Sequence, residues 1–255
     1  MTLGRSVAVL AAANVLNNRV APRLGPLTSA LATGALVAMA RRSGLSWEEL
    51  GFHRSGRGAR TGLALAAAVA GVYTVGVSLP ATRRFFQDER ALGLSRARVL
   101  EEALLQVPVG TVLLEEVGFR GVVYGLVARS HGTGAATAAS SLLFGLWHVL
   151  PAIDMAGANP ALGHLTAGKG VEEIAGEVRH PGTEPAPQEA PGRADVVRVV
   201  AGSVAITAAA GVLFCELRRR EGLLAPSLLH TATNSLGYVF ARLSRRLAPP
   251  GEVSR

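Results

Sequence analysis

Residues 103–127 read ALLQVPVGTVLLEEVGFRGVVYGLV, an apolar helical stretch interrupted by Glu115, Glu116 and Arg120. Without those three side chains it is an ordinary membrane-span candidate. With them, each charge placed at mid-bilayer depth costs about 2.5–3.5 kcal/mol. Glu116 and Arg120 are four residues apart, so on a helix they share a face and can pair, which lowers the cost and leaves the Glu115 carboxylate uncommitted. An isolated Glu-Glu-x-x-x-Arg in a soluble helix is a routine surface ion pair. Apolar flanks on both sides favour a functional reading here.

The rest of the chain supports a membrane setting. Of 255 residues, 49% are hydrophobic and 17% charged, and the mean hydropathy is +0.32. Soluble domains carry about 25% charged residues, so the composition excludes a disordered chain and argues against a water-soluble globule. Asp, Glu, Lys and Arg are absent from Leu24 to Ala40, Thr61 to Thr82, Ser130 to Ile153, Val199 to Cys215 and Gly222 to Ala241. Each run approaches the roughly 20 residues that cross a hydrocarbon core. Several are rich in Ala and Gly, as expected of closely packed membrane helices. The short run Ser6 to Leu16 lacks the polar spacer and cleavage site of a signal peptide and reads as a retained first span or part of one. The fold expected is all-α, a polytopic transmembrane bundle of six to eight helices. Residues 1–98 supply N-terminal helices and connectors, 99–245 a helical core and 246–255 a tail.

Between the spans, Ser46 with Glu49 three residues on reads as the cap of a short interfacial helix. Trp47 and Phe52 beside it suit the headgroup zone. Residues 154–195, with Pro181, Pro185, Pro187 and Pro191, read as a flexible extramembrane loop. The net charge of +8 comes from arginines that border apolar runs, with no basic patch interleaved with aromatics. Lipid bilayer rather than nucleic acid is the partner expected. Cys215 is the only cysteine, which excludes an intrachain disulfide and a multi-cysteine metal site. Lys169, the only lysine, together with the alanine load, points to GC-rich bacterial coding and a multi-pass protein of the bacterial inner membrane.

Two more polar groups sit in apolar runs. His148 lies in SSLLFGLWHVLPAI (140–153), four residues after Phe144, and His230 and Asn234 share a helical face in GLLAPSLLHTATNSLGYVF (222–240). Taken singly, each reads as a hydrogen-bonded packing residue. Together they make two carboxylates, two imidazoles and a carboxamide on three helical stretches, and such groups inside a membrane protein face the bundle interior and one another. Glu115, His148, His230 and Asn234 are donors suited to a divalent metal, Zn²⁺ most naturally. The same group could hold a water without metal, with a carboxylate as general base. Either arrangement is hydrolytic.

The motifs EEVGFR (115–120), FGLWH (144–148) and HTATN (230–234), in this order on separate helices, resemble the bacterial branch of the CAAX-protease and bacteriocin-processing family, relatives of the Rce1 prenyl-protein endopeptidase. The resemblance covers roughly residues 100–241, and GLSWEELGFHR (44–54) is similar to a connector found before the core of bacterial members. It implies a helical intramembrane endopeptidase whose site opens toward the cytosolic side. Glu115 would activate the attacking water, and Glu116 and Arg120 would shape and charge-balance the site. His148 and His230 would hold the metal or the water, and Asn234 would complete the site or stabilise the oxyanion. The substrate expected is a peptide or membrane protein; prenylated CAAX tails are a eukaryotic class and are not carried over by name. Two other readings stand beside this one. The first is a non-catalytic scaffold or regulator that retains the fold. The second is a transporter, for which matched inverted repeats are expected and none is evident. His53, His131, His164 and His180 read as solvated, and Glu216 as an interfacial partner of Arg218–Arg220.

Overall fold

The computed structural model describes residues 2–168 and 192–248, and every regular element among them is helical. Helices α1 (Thr2–Val15), α2 (Gly25–Arg42) and α3 (Ser55–Ser78) precede three short turns at Pro80–Arg83, Arg84–Phe86 and Glu89–Leu92. A long helical path, α4 (Arg96–Trp147), carries the charged stretch. It is followed by α5 (Val149–Ala158), α6 (Pro160–Thr166), α7 (Arg193–Glu221) and α8 (Leu224–Leu247).

The path α4 is not a uniform rod. It is π-helical over Glu102–Val112 and Glu116–Val123, either side of a short α-helical piece at Leu113–Glu115. Pro108 lies in the first of these wide segments, where it has no N–H to close an α-helical bond. At Gly132 (φ 79°, ψ 173°) the chain leaves helical geometry, a conformation that glycine adopts without a Cβ clash. The chain reverses there. Ser140 Oγ–H donates to the Phe119 carbonyl at 3.0 Å, and Trp147 Nε1–H donates to Glu115 at 2.8 Å. The arm before Gly132 and the return arm after it therefore run antiparallel. At His148 the chain bends again, by 43°, into α5.

Close helix contacts hold this hairpin in the bundle. A Cβ at Gly145 of the return arm would lie 2.7 Å from the Val204 carbonyl of α7, and one at Gly62 of α3 2.8 Å from Leu228 Cβ of α8. No side chain fits at either place, the small-residue packing anticipated from composition. Leu10, Leu36, Leu114, Phe119, Phe144 and Phe214 join in one buried apolar cluster.

Apolar side chains face outward while charges lie inside: Leu104 is 73% and Val72 67% exposed, whereas Glu116 and Arg120 are fully buried. Water would penalise that distribution and a bilayer favours it. Ser55–Ser78 and Arg193–Glu221 are long and apolar enough to cross a membrane, and α4 with α5, bent at 43°, meets the same test as a pair. The molecule is an all-α helical membrane bundle.

Several expectations are corrected. The run Ser130 to Ile153 is no single span, because Gly132 and His148 interrupt it. Helix α8 is 24 residues long but, with His230 and Asn234 in its apolar run, is not among the helices apolar enough to cross a membrane. The expected loop 154–195 is helical over Val149–Ala158 and Pro160–Thr166 and again from Arg193. The Asn159 side chain accepts from Leu162 N–H at 3.1 Å, which caps α6. Residues 169–191, with Lys169, His180 and the four prolines, lie outside the described residues, as do 249–255 of the expected tail.

At Ser46 the capping bonds form in both directions, Ser46 N–H to Glu49 at 2.7 Å and Glu49 N–H to Ser46 Oγ at 3.1 Å. The segment is nevertheless one turn, ended by Gly51 at φ 90°. Trp47 and Phe52 are exposed beside it, edge to face at 5.5 Å.

Candidate active site

The three sequence motifs converge because the hairpin folds back at Gly132 and α8 packs against its first arm. Glu115 and Glu116 come from the first arm, Phe144 and Trp147 from the return arm, His148 from the bend and His230 from α8. Glu115, Glu116, Arg120 and His230 are all buried.

Glu116 and Arg120 pair within one turn, Oε1 to Nη1 at 3.2 Å, with neither side chain exposed. The guanidinium lies over Phe144 at 3.7 Å and over Phe214 of α7 at 4.9 Å, so two aromatic rings that meet at 6.2 Å both face the cation. Glu116 Oε1 also accepts from His230 Nδ1 at 2.9 Å. Since a carboxylate only accepts, Nδ1 carries a proton, and in the neutral form of the ring the lone pair is on Nε2. That nitrogen faces Glu115 Oε2 at 3.7 Å, too far for a direct hydrogen bond.

Glu115 is divided between two tasks. Its Oε1 accepts the Trp147 indole N–H at 2.8 Å. Its Oε2 is buried and has no hydrogen-bond partner among the described residues. A buried oxygen left in this state costs about 1–3 kcal/mol or more when charged, which marks it as a place for a missing ligand. His148 Nδ1–H donates to the Phe144 carbonyl at 2.7 Å, and in the neutral ring its Nε2 is also left with the lone pair.

A cavity of about 680 Å³ opens in front of this cluster, with Glu115, Trp147, His148 and Asn234 on its wall. Glu116, Arg120 and His230 lie behind that wall. The group thus has a front that can meet a ligand and a buried back that sets orientation and charge. Glu115 Oε2 and His230 Nε2 are two converging donors for a cation. Among the described residues no three His, Cys, Asp or Glu side chains converge at metal-ligand spacing, so His148 and Asn234 join the pair as neighbours on the cavity.

Three contributors escaped the sequence reading: Trp147, Phe214 and Arg218. Arg218, read with Arg219 and Arg220 as an interfacial partner of Glu216, is buried. Its Nε–H donates to the Arg120 carbonyl at 3.0 Å, Nη2 donates to the Glu49 carbonyl, and its guanidinium lies over Tyr124 at 4.3 Å. Phe214 and Arg218 are four apart on α7, so helical spacing was the available signal for both. Glu216 does pair at the surface, with Arg219 and Arg220. Asp154 pairs with Arg19. His131 is exposed, His53 and His164 are half-buried, and none of the three lines the cavity.

Residues 102–236, just over half of the chain, match a family model described as type II CAAX prenyl endopeptidase Rce1-like. No curated protein and no solved structure matches. The matched region holds the whole cluster, from both glutamates to Asn234, together with the hairpin and bend that assemble it. The chain belongs to the Rce1-like family of type II CAAX prenyl endopeptidases.

Proposed function

We propose that the protein is an intramembrane endopeptidase that hydrolyses a peptide bond in a membrane-associated protein or peptide, with Glu115 as the base that activates water. The observation that carries this reading is Glu115: the residue lines the cavity, and its Oε2 is buried, unbonded and 3.7 Å from His230 Nε2. Trp147 holds the other oxygen, so the carboxylate is fixed with one oxygen free.

In the proposed reaction, water bound between Glu115 Oε2 and the imidazoles gives a proton to Glu115 as its oxygen attacks the scissile carbonyl. The Asn234 carboxamide, on the same wall, donates to the oxyanion, a contribution of about 2.7–4 kcal/mol for one well-placed donor. Glu115 then returns the proton to the leaving amine, and the C–N bond breaks. Glu116 takes the Nδ1 proton of His230 in a hydrogen bond, which keeps the Nε2 lone pair directed at the site. Arg120 balances the Glu116 charge.

Glu115 and His230, with His148 and Asn234 beside them, would hold a divalent cation. Zn²⁺ suits imidazole and carboxylate donors and, when bound, would polarise the carbonyl and acidify water. The setting proposed is a multi-pass protein of the bacterial plasma membrane.

The test is hydrolysis of a quenched peptide library by the purified protein in lipid vesicles, beside Glu115→Gln. That substitution keeps shape and removes basicity, and a loss of about 10²–10⁴ in rate is expected. Equal rates would remove Glu115 as the base, and no hydrolysis by either would move a non-catalytic scaffold ahead. A chelator that abolishes the rate, with Zn²⁺ restoring it, supports the metal; an unchanged rate removes the metal and leaves the glutamate reading in place.

A further inference from the structure

The cavity continues well past the cluster. On the first arm of α4, Glu115, Thr111, Gln106 and Glu102 all face it. From His148 along α5 to Asn159 the lining positions are His148, Pro151, Ala152, Met155 and Asn159, the i, i+3, i+4, i+7 recurrence of one helical face. On α8 they are Asn234 and Tyr238. Each series starts at the candidate active site and leads away from it. Helix α8 runs antiparallel to the first arm, since His230 bonds Glu116 while Ser235 Oγ–H donates to the Ala103 carbonyl at 2.7 Å. Toward the other end the lining includes Asn159, whose side-chain N–H donates to the Phe85 carbonyl at 3.0 Å, and the Asp88–Arg90 pair at 2.6 Å.

The length of this groove follows from helix geometry. His148 to Asn159 spans about 16 Å at 1.5 Å per residue. An extended peptide rises about 3.3–3.6 Å per residue, so about five residues fit. The walls also hold an unspent hydrogen-bonding group. Ser203 of α7 faces the same cavity, is only 7% exposed, and its hydroxyl has no partner among the described residues. A buried hydroxyl in that state is unfavourable unless something else bonds it. A peptide main chain offers one N–H and one C=O per residue. A helical segment would not serve, because its carbonyls are already bonded within the helix.

We infer that the groove is a binding subsite for an extended, unfolded segment of about five residues on one side of the scissile bond, so that internal sites of a chain are cut. This deepens the endopeptidase reading and rests on it for the cleavage step. The experiment is a peptide series with a fixed cleavable core and one to eight residues added on either side, presented to the full-length protein in vesicles. The value of kcat/KM should climb with each residue on one side, level off near five, and stay flat on the other side. Met155→Trp, which fills the groove away from the cluster, should cut the long-to-short ratio of kcat/KM at least tenfold. A flat length series, or equal losses for long and short peptides in Met155→Trp, overturns the groove.

Binding separates the two proposals. Fluorescent peptides titrated onto Glu115→Gln should bind more tightly with length up to about five residues. Length-dependent binding with no hydrolysis by the wild type would leave the groove standing and remove the endopeptidase reading. Hydrolysis without length dependence would do the reverse.

Discussion

Two Glu-x-x-x-Arg pairs occur among the described residues, and they have little in common beyond spacing. Glu116 and Arg120 lie at 0% exposure, with Phe144 and Phe214 facing the guanidinium and His230 sharing the carboxylate. Glu216 and Arg220 lie at 38% and 66% side-chain exposure at the end of α7, with Arg219 as a second partner. The i,i+4 geometry brings either pair together. What it is worth depends on surroundings: a pair in water contributes about 0–1 kcal/mol, whereas losing one partner of a buried pair leaves an uncompensated charge and costs about 3–5 kcal/mol. The buried pair is retained in a place where it can orient His230 toward Glu115, and the exposed pair has no such neighbour.

The largest stability effect expected is therefore at Arg120. Arg120→Met should destabilise the protein by about 3–5 kcal/mol, read as a denaturation midpoint in detergent micelles. Adding Glu116→Leu to it should recover much of that stability without restoring hydrolysis, which would separate the structural from the orienting role. A loss at Arg120 no larger than at Arg220 breaks the comparison.

Trp147→Phe comes next. It keeps the aromatic packing against Phe119 at 5.5 Å and removes the N–H that holds Glu115 Oε1. A hydrogen bond to a charged group is worth about 1.5–3 kcal/mol, so kcat should fall by about ten- to a hundredfold with KM little changed. A matched fall in folded protein alone would show that the indole only packs.

Glu216→Gln should leave stability nearly unchanged and hydrolysis unaltered, with any difference vanishing in high salt.

The smallest effect concerns Glu49, in the connector before α3. Arg129 beside it, with the Ser46 N–H, holds its carboxyl down to about 2. A folded value below the usual one near 4.5 means that the stabilisation is present above pH 4.5 and is lost as the pH falls through about 2. The stability gap between wild type and Glu49→Gln should close over that window, followed by Trp47 fluorescence. A gap that persists at pH 2 would place the role of Glu49 in its shape and not its charge.

The chemistry of the site was legible because polar residues in apolar runs are expensive and therefore conspicuous. The Glu116–Arg120 pairing and the spare carboxylate of Glu115 both follow from spacing and context alone. Tertiary features were harder. Gly132 reverses the hairpin, yet in a stretch rich in Gly and Ala it looks like any small packing residue. Arg218 stands in a run of three arginines, and only its phase relative to Phe214 separates it from the two that meet solvent. Residues 154–166 read as loop because they open the non-apolar stretch 154–195, whose later part carries Pro181, Pro185, Pro187 and Pro191. In place, Pro160 follows the Asn159 cap and begins α6, a position where its missing N–H costs nothing.

The central claim is that Glu115 activates water for peptide-bond hydrolysis. The most direct test is a comparison of newly formed protein N-termini in host membranes carrying the wild type or Glu115→Gln at equal levels. Cleavages present with the wild type and absent with Glu115→Gln are the result predicted, and they would name the substrate as well. Identical sets of N-termini from two equally inserted proteins would contradict the claim.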